Sequence, residues 1–235
     1  MRRYVGIDCG GTNLRIYEVN PETGDLVKDL LERKIDLRDI DKNSELTRIV
    51  SNAIKVINEE EIYVGCAAAG NVDEEALTLI QSPNSGIKKP ITFAKSLREQ
   101  GHKVILINDM KAAVMGAHRF GQGKELDNVL VATYSSGYNC MKTHKGNLIQ
   151  GISPEFGHQP YHDKKSPRFT ELKCGCGGFS HLDPAVSGNG SANMARKYFR
   201  EEEYSPENIL ILKLAHESLL NGTDREFSVQ EIHVQ

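Results

Sequence analysis

No apolar run in this 235-residue chain reaches the length of a bilayer span, so a transmembrane helix is not expected. Charge of one sign is also missing: 29 Lys and Arg face 32 Asp and Glu, for a net charge of −3. That balance supplies no global basic field, and neither nucleic acid nor an anionic membrane surface is an expected partner. Cysteine is scarce and odd in number, five in all, which excludes a disulfide scaffold and favours a reducing cytoplasm. The N-terminus, "MRRYVGID", enters a strand at once, without the apolar segment and cleavage site of a signal peptide. Tryptophan is absent and the eight tyrosines are scattered. No solenoid-period repeat and no low-complexity tract interrupts the chain. What remains is ordinary globular composition, 39% hydrophobic and 26% charged. A chain of this length buries roughly 70% of its unfolded surface, enough for one large domain or two small lobes.

Strand and helix signals alternate, which predicts an α/β architecture. "YVGID" and "LRIYEV" read as an opening hairpin, with a third short strand near "LVKDLL". Residues 44–57 read as a helix, because Leu46, Ile49, Val50, Ala53, Ile54 and Ile57 recur at helical spacing. "IYVGCAAAG" comes next as a strand, then a polar loop "QSPNSGIKKP" and a short helix "ITFAKSLREQ". "KVILIND" is a buried strand with its polar pair at the C-terminal end, running into helical "MKAAVMGAHRF". In open α/β sheets that end of a strand collects binding and catalytic groups. The loop "GQGKELDN", 121–128, marks a lobe boundary, giving lobes 1–120 and 121–235. "VLVATYSSGYN" and "MKTHKGNLIQG" then read as a second strand pair, followed by a long polar stretch and closing helices. One of these, "SPENILILKLAHESLL", opens with Ser205 as cap and Pro206 at the first helical position.

Four stretches carry chemistry. In "YVGIDCGGTNLR", Gly10-Gly11 is a legitimate two-residue hairpin turn. It is equally a phosphate cradle, since glycine lets backbone N–H groups approach an anion and Thr12 adds a hydroxyl donor. Asp8 fits the second reading if a divalent metal lies between it and the phosphates. At the second stretch, Asp109 either caps the following helix or acts as a general base toward an attacking hydroxyl, with Asn108 orienting its surroundings. In the third, "CGCGGFSHLD", Cys174 and Cys176 are too close for an easy disulfide but suit a metal. With His158 and His181 they complete a tetrahedral zinc set, His162 being an available substitute. The bland alternative is a pair of surface thiols in a glycine-rich loop. Fourth, Glu155 and His158 fall one helical turn apart and could present an acceptor and an imidazole to a polyol. Cys9, Cys66 and Cys140 read as buried structural thiols, and "REEEY", 200–204, as a solvated helix face.

The order of these motifs resembles the ROK group of sugar kinases in the actin/hexokinase superfamily. "DCGGT" matches that family's first phosphate motif, "INDMKAAVMGA" its asparagine-aspartate segment, and "EFGH" with "CGCGGFSHLDPAVSG" its glutamate-histidine and zinc signature. The resemblance covers residues 4 to about 190 and implies a two-lobed ribonuclease H-like, actin-like ATPase fold with an incomplete second lobe. It also implies ATP-dependent phosphorylation of a hexose or N-acetylhexosamine at the 6-hydroxyl. Asp109 would be the catalytic base. Asn84, Asn108, Glu155, His158 and Asp183 would hold the sugar, while Gly10, Gly11, Thr12, Ser136 and Gly137 would hold phosphates, with Asp8 near Mg²⁺. A structural Zn²⁺ and a homodimer are implied as well. Relatives that repress transcription carry an N-terminal helix-turn-helix, and with a phosphate strand starting at Tyr4 a DNA-binding repressor role is not expected.

The chain departs from the family pattern at several positions. His181 stands where the family has a third zinc cysteine, and Asp183 where it has a glutamate. In "YSSGYNCM" only Gly137 remains of a second glycine-rich phosphate loop, and Asn139 and Cys140 bring side chains to it. "AAAGN" puts Ala69 where the family often has proline. The last glycine is Gly222, so the second glycine-rich segment that holds adenosine in the family is expected to be missing. These departures keep a second reading open, a sugar-binding relative without a complete nucleotide site.

Overall fold

The computed structural model describes residues 2–10, 13–34, 42–82, 87, 89–134, 137–149, 155–161 and 172–190. The expected closing helices and the 200–204 charge run lie outside them. Two compact units divide the chain, one from residues 1–131 and 141–154, the other from 132–140 and 155–235.

In the first unit, side chains of period two build a five-stranded sheet in the order β3-β2-β1-β4-β7. β1 (Tyr4–Cys9) and β2 (Asn13–Val19) form the expected antiparallel hairpin, and β4 (Tyr63–Ala68) and β7 (Lys103–Asn108) add in parallel beside β1. Val5, Ile7 and Cys9, Val64, Cys66 and Ala68, and Val104 and Leu106 share one buried face. Against that core pack α1 (Lys42–Lys55), through Leu46, Val50 and Ile54, and α2 (Phe93–Glu99), through Phe93, Ala94 and Leu97. Each fully buried Leu, Ile or Phe contributes about 1.5–3 kcal/mol of transfer free energy, so this one face carries most of the unit's stabilisation.

Three elements differ from the pattern expected of the sequence. β3 (Leu26–Lys34) runs nine residues rather than stopping at Leu31, because β2 offers a partner along its whole length. A small hairpin, β5 (Asn71–Asp73) with β6 (Thr78–Gln81), precedes the polar loop. Its strands, of three and four residues, are too short to show alternation. Finally, the second strand pair is three strands, β8 (Asn128–Tyr134), β9 (Tyr138–His144) and β10 (Asn147–Leu148). Lys145 and Gly146 both have positive φ, 47° and 75°, which is the geometry of a tight hairpin turn between β9 and β10. α3 (Asp109–Arg119) buries Met110 and Val114 against Val129 and Met141. Among the described residues no helix is long and apolar enough to cross a membrane.

Two positions put this packing to the test. Gly70 has φ of +126°, and a Cβ there would lie 2.3 Å from the Gln81 carbonyl oxygen. Gly70→Ala should therefore lower the unfolding free energy by about 2–3 kcal/mol, read as a shift in urea midpoint. Glu18, buried on β2, receives two charge-assisted hydrogen bonds from Arg3, one of them Nη2 to Oε2 at 2.7 Å. That hydrogen bonding holds the Glu18 carboxyl below the usual glutamate range. A pKa depressed by folding contributes stability above the unfolded value, about 4.3, and loses it as pH falls through the folded value. The urea-midpoint gap between wild type and Glu18→Gln should be full at neutral pH and shrink progressively below about pH 4.

Candidate functional site

Parallel register brings the first group of residues together. Cys9 is level with Ala68, and Ala68 with Asn108, so three strands end along one edge of the sheet. At that edge the chain turns into α3, and the cap is Asn108 rather than Asp109. The Asn108 side chain accepts the Met110 N–H at 2.8 Å, and its amide donates to the Gly70 carbonyl at 2.8 Å. Both ends of this buried amide are thus engaged by the protein itself. Asp109 becomes the first helical residue, half-buried, with Oδ1 accepting the Met110 N–H at 2.9 Å. A carboxylate in the first turn of a helix is favoured by the helix dipole.

Along the same edge the opening stretch is an antiparallel hairpin, but its register puts Cys9 opposite Leu14, so Gly10-Gly11 is not the two-residue turn expected. Gly10 N–H donates to the Asn13 carbonyl at 3.0 Å, closing the turn, and Cys9 O accepts from Ala69 N–H at 3.1 Å. Gly11 and Thr12 lie outside the described residues, as do Asn84, Ser136 and His162. Asp8 does not stand alone: Arg15, directly opposite it on β2, donates to its Oδ2 at 3.1 Å. Sequence reasoning missed Arg15, because the Gly10-Gly11 turn it expected does not place residue 15 across from residue 8, whereas the observed register does.

In the second unit, a single 3₁₀ turn (Phe156–His158) comes directly after Glu155. It sets His158 Nε2 3.4 Å from Glu155 Oε2, the one-turn pairing the spacing predicted. The other imidazole nitrogen, Nδ1, is 3.2 Å from Cys174 Sγ. Cys176 Sγ is 3.3 Å from His181 Nδ1, and the ligand atoms of all four residues lie within 4.8 Å of one another. The polar loop is folded to achieve this. Cys174 N–H donates to Gly178 O at 2.8 Å and Gly177 N–H to Cys174 O at 2.9 Å, with Gly177 at φ +95°. A Cβ on Gly178 would come within 2.6 Å of the His181 ring. Bridges from Pro160 to His181 and from Lys173 to Phe179 clip the loop's two arms.

Burial pushes the Cys174 thiol up to about 11, while Cys176 acts both ways, its backbone N–H lowering the value and its thiol raising it. The hydrogen bond to Glu155 raises the His158 imidazole. Two sulfurs and two nitrogens at these separations suit tetrahedral Zn²⁺, whose bonds of about 2.0–2.3 Å leave ligand atoms some 3–4 Å apart. Glu155 on the far nitrogen of His158 is the carboxylate–histidine arrangement that orients a metal ligand. Asp183, at the start of α4 (Asp183–Val186), is buried and accepts the Tyr138 N–H at 2.6 Å. Burial raises its pKa, with that backbone hydrogen bond acting in the opposite direction. Asn139 was expected only as a departure from a glycine loop. Its Oδ1 accepts from Phe156 N–H at 2.7 Å and from its neighbour Cys140 N–H at 3.1 Å.

Glucokinase of Thermotoga maritima is 28% identical over 218 residues, covering 91% of this chain and 65% of that protein. Glucokinase of Pyrobaculum calidifontis is 29% identical over 212 residues, covering 89% and 65%. The chain thus spans just under two thirds of the length of these relatives. Among solved structures, a ROK family glucokinase from Streptomyces griseus, in complex with glucose and AMPPNP, has a TM-score of 0.67 at 24% identity, covering 88% of this chain and 63% of that one. The ROK family model matches residues 4–223, and this chain belongs to the ROK family.

Proposed function

We propose that this chain phosphorylates a hexose or N-acetylhexosamine at its 6-hydroxyl, using ATP as donor. The observation that carries the reading is Asp109, held by the Asn108 cap on the same sheet edge as the Gly10 turn, in a ROK family chain. Asp109 accepts the proton of the 6-hydroxyl as that oxygen forms its bond to the γ-phosphorus and the bond to the departing ADP breaks. Asn108 fixes the backbone on which Asp109 sits. Gly11 and Thr12 offer N–H and hydroxyl donors to phosphate, with Gly10, whose own N–H is bonded to the Asn13 carbonyl, letting the anion approach closely, and Ser136 and Gly137 offer donors from the β8–β9 connection. Mg²⁺ fits the Asp8 carboxylate, whose present cation partner is Arg15. When bound, that ion neutralises phosphate charge. Asn84 and Glu155 hydrogen-bond the sugar hydroxyls, Asp183 adds a contact, and His158, whose two nitrogens face Cys174 and Glu155, orients Glu155 for the sugar.

The Cys174, Cys176, His158 and His181 donor set fits a structural Zn²⁺, which replaces a hydrophobic core in a loop that has little apolar content. In the same reading the base and first phosphate motif belong to an N-terminal lobe, 1–120, and the metal loop to a C-terminal lobe, 121–235. A homodimer in a reducing cytoplasm completes it. A sugar-binding protein without transfer is the second reading, favoured by the Asp8–Arg15 pair and by the side chain of Asn139 in the hairpin.

ATP-dependent phosphate transfer should be measured across glucose, mannose, fructose, N-acetylglucosamine and N-acetylmannosamine. Turnover is expected with at least one, and Asp109→Asn should lower kcat about 10³-fold while leaving sugar affinity within a factor of two or three. Saturable sugar binding with no turnover would replace the kinase reading with the second one. Metal analysis of the purified chain should find one zinc per chain. Cys174→Ser should lose it, and chelation should lower Tm by several degrees.

A further inference from the structure

We propose that Asn139 and Asp183 are positioning residues that couple the Cys/His metal site to the first residues of β9, so that metal occupancy sets the Gly137–Cys140 backbone. This deepens the kinase reading, in which that backbone meets the donor phosphates. Asn139 reaches seventeen residues along the chain to accept Phe156 N–H at 2.7 Å, at the start of the turn that carries His158. Asp183, two residues after His181, accepts Tyr138 N–H at 2.6 Å. Each of the two segments that supply an imidazole therefore grips one of two consecutive β9 residues. Gly157, between Phe156 and His158, lies so close that a Cβ there would be 2.1 Å from the Tyr138 carbonyl oxygen and 3.1 Å from Asp183 Cβ. The Tyr138 and Phe156 rings meet edge-on, centroids 6.5 Å apart.

The spacing between the two grips is set where the segments converge, at the His158 and His181 rings, whose centroids are 5.8 Å apart. A metal drawing both imidazoles and both thiolates into one tetrahedron holds that spacing. Without the metal, two polar loops with little apolar burial have only hydrogen bonds to keep it, and β9 loses its fixed anchor points. Asparagine is a poor strand former, and a glycine in its place would supply no side-chain acceptor. The side chain that departs from the family's glycine loop is thus the one that ties the loop down.

Hydrogen exchange of the whole chain, with zinc bound and after chelation, tests this directly. In wild type, amide exchange at Tyr138, Cys140 and Phe156 should accelerate at least about tenfold on metal removal. Asn139→Ala, with zinc still at one per chain, should show about tenfold faster exchange at Phe156, through the loss of one hydrogen bond, and Asn139→Asp should restore protection. In kinetics the same alanine variant should raise KM for ATP several-fold and leave KM for sugar unchanged. Protection at Tyr138, Cys140 and Phe156 that ignores both chelation and the alanine substitution would overturn the coupling. Exchange needs no turnover, so a chain that phosphorylates no sugar removes the kinase reading while the exchange result still decides this one.

Discussion

Register among three parallel strands is the constraint on which the first unit depends. Because Cys9, Ala68 and Asn108 are level, the three strand ends are level too, and the segment after each strand is delivered to one edge. Those segments are a glycine turn, the Gly70 bend and the start of α3. A slip of one residue would turn Val5, Ile7, Cys9 and their neighbours away from α1 and α2, so the buried face enforces the alignment. Packing on one side of the sheet thereby fixes chemistry at its end. Asn108 shows how closely the two are linked, since one buried amide closes the Gly70 bend and caps the helix that presents Asp109.

The second unit obeys a different rule. Its described residues include few large buried apolar side chains, and its order comes from directed interactions: backbone pairs within the cysteine loop, two clamps on β9, and four soft and borderline ligand atoms in one cluster. Directed interactions are individually modest and need their partners in place simultaneously. A metal suits that situation because it imposes geometry on several loops at once. His158 is the pivot, facing a thiol with one nitrogen and a carboxylate with the other.

Much of this was legible in the residues. Alternation exposed β1, β2, β4 and β7, helical spacing exposed α1, and Asn108-Asp109 marked the passage from a buried strand into a helix. The metal cluster was legible because ligand chemistry restricts which residue types can take part. Less was legible at β5 and β6, where strands of three and four residues carry too few positions for a period to register. The division of the later strands into β8, β9 and β10 was hidden because Lys145-Gly146 makes its turn with a non-glycine residue at positive φ.

The sequence alone determined the chemistry available: a glycine turn beside a carboxylate, an Asn-Asp pair, and two thiols with two imidazoles. These depend on residue type and short spacing, which local sequence preserves. Only the tertiary structure decided the pairings: that Asn108 caps while Asp109 stands in the first turn, that Arg15 answers Asp8, and that Asn139 and Asp183 hold β9. Each of those links is a hydrogen bond or ion pair to a group chosen by chain crossing or strand register. Such a partner is selected by three-dimensional proximity, which the order of residues encodes only through the whole fold.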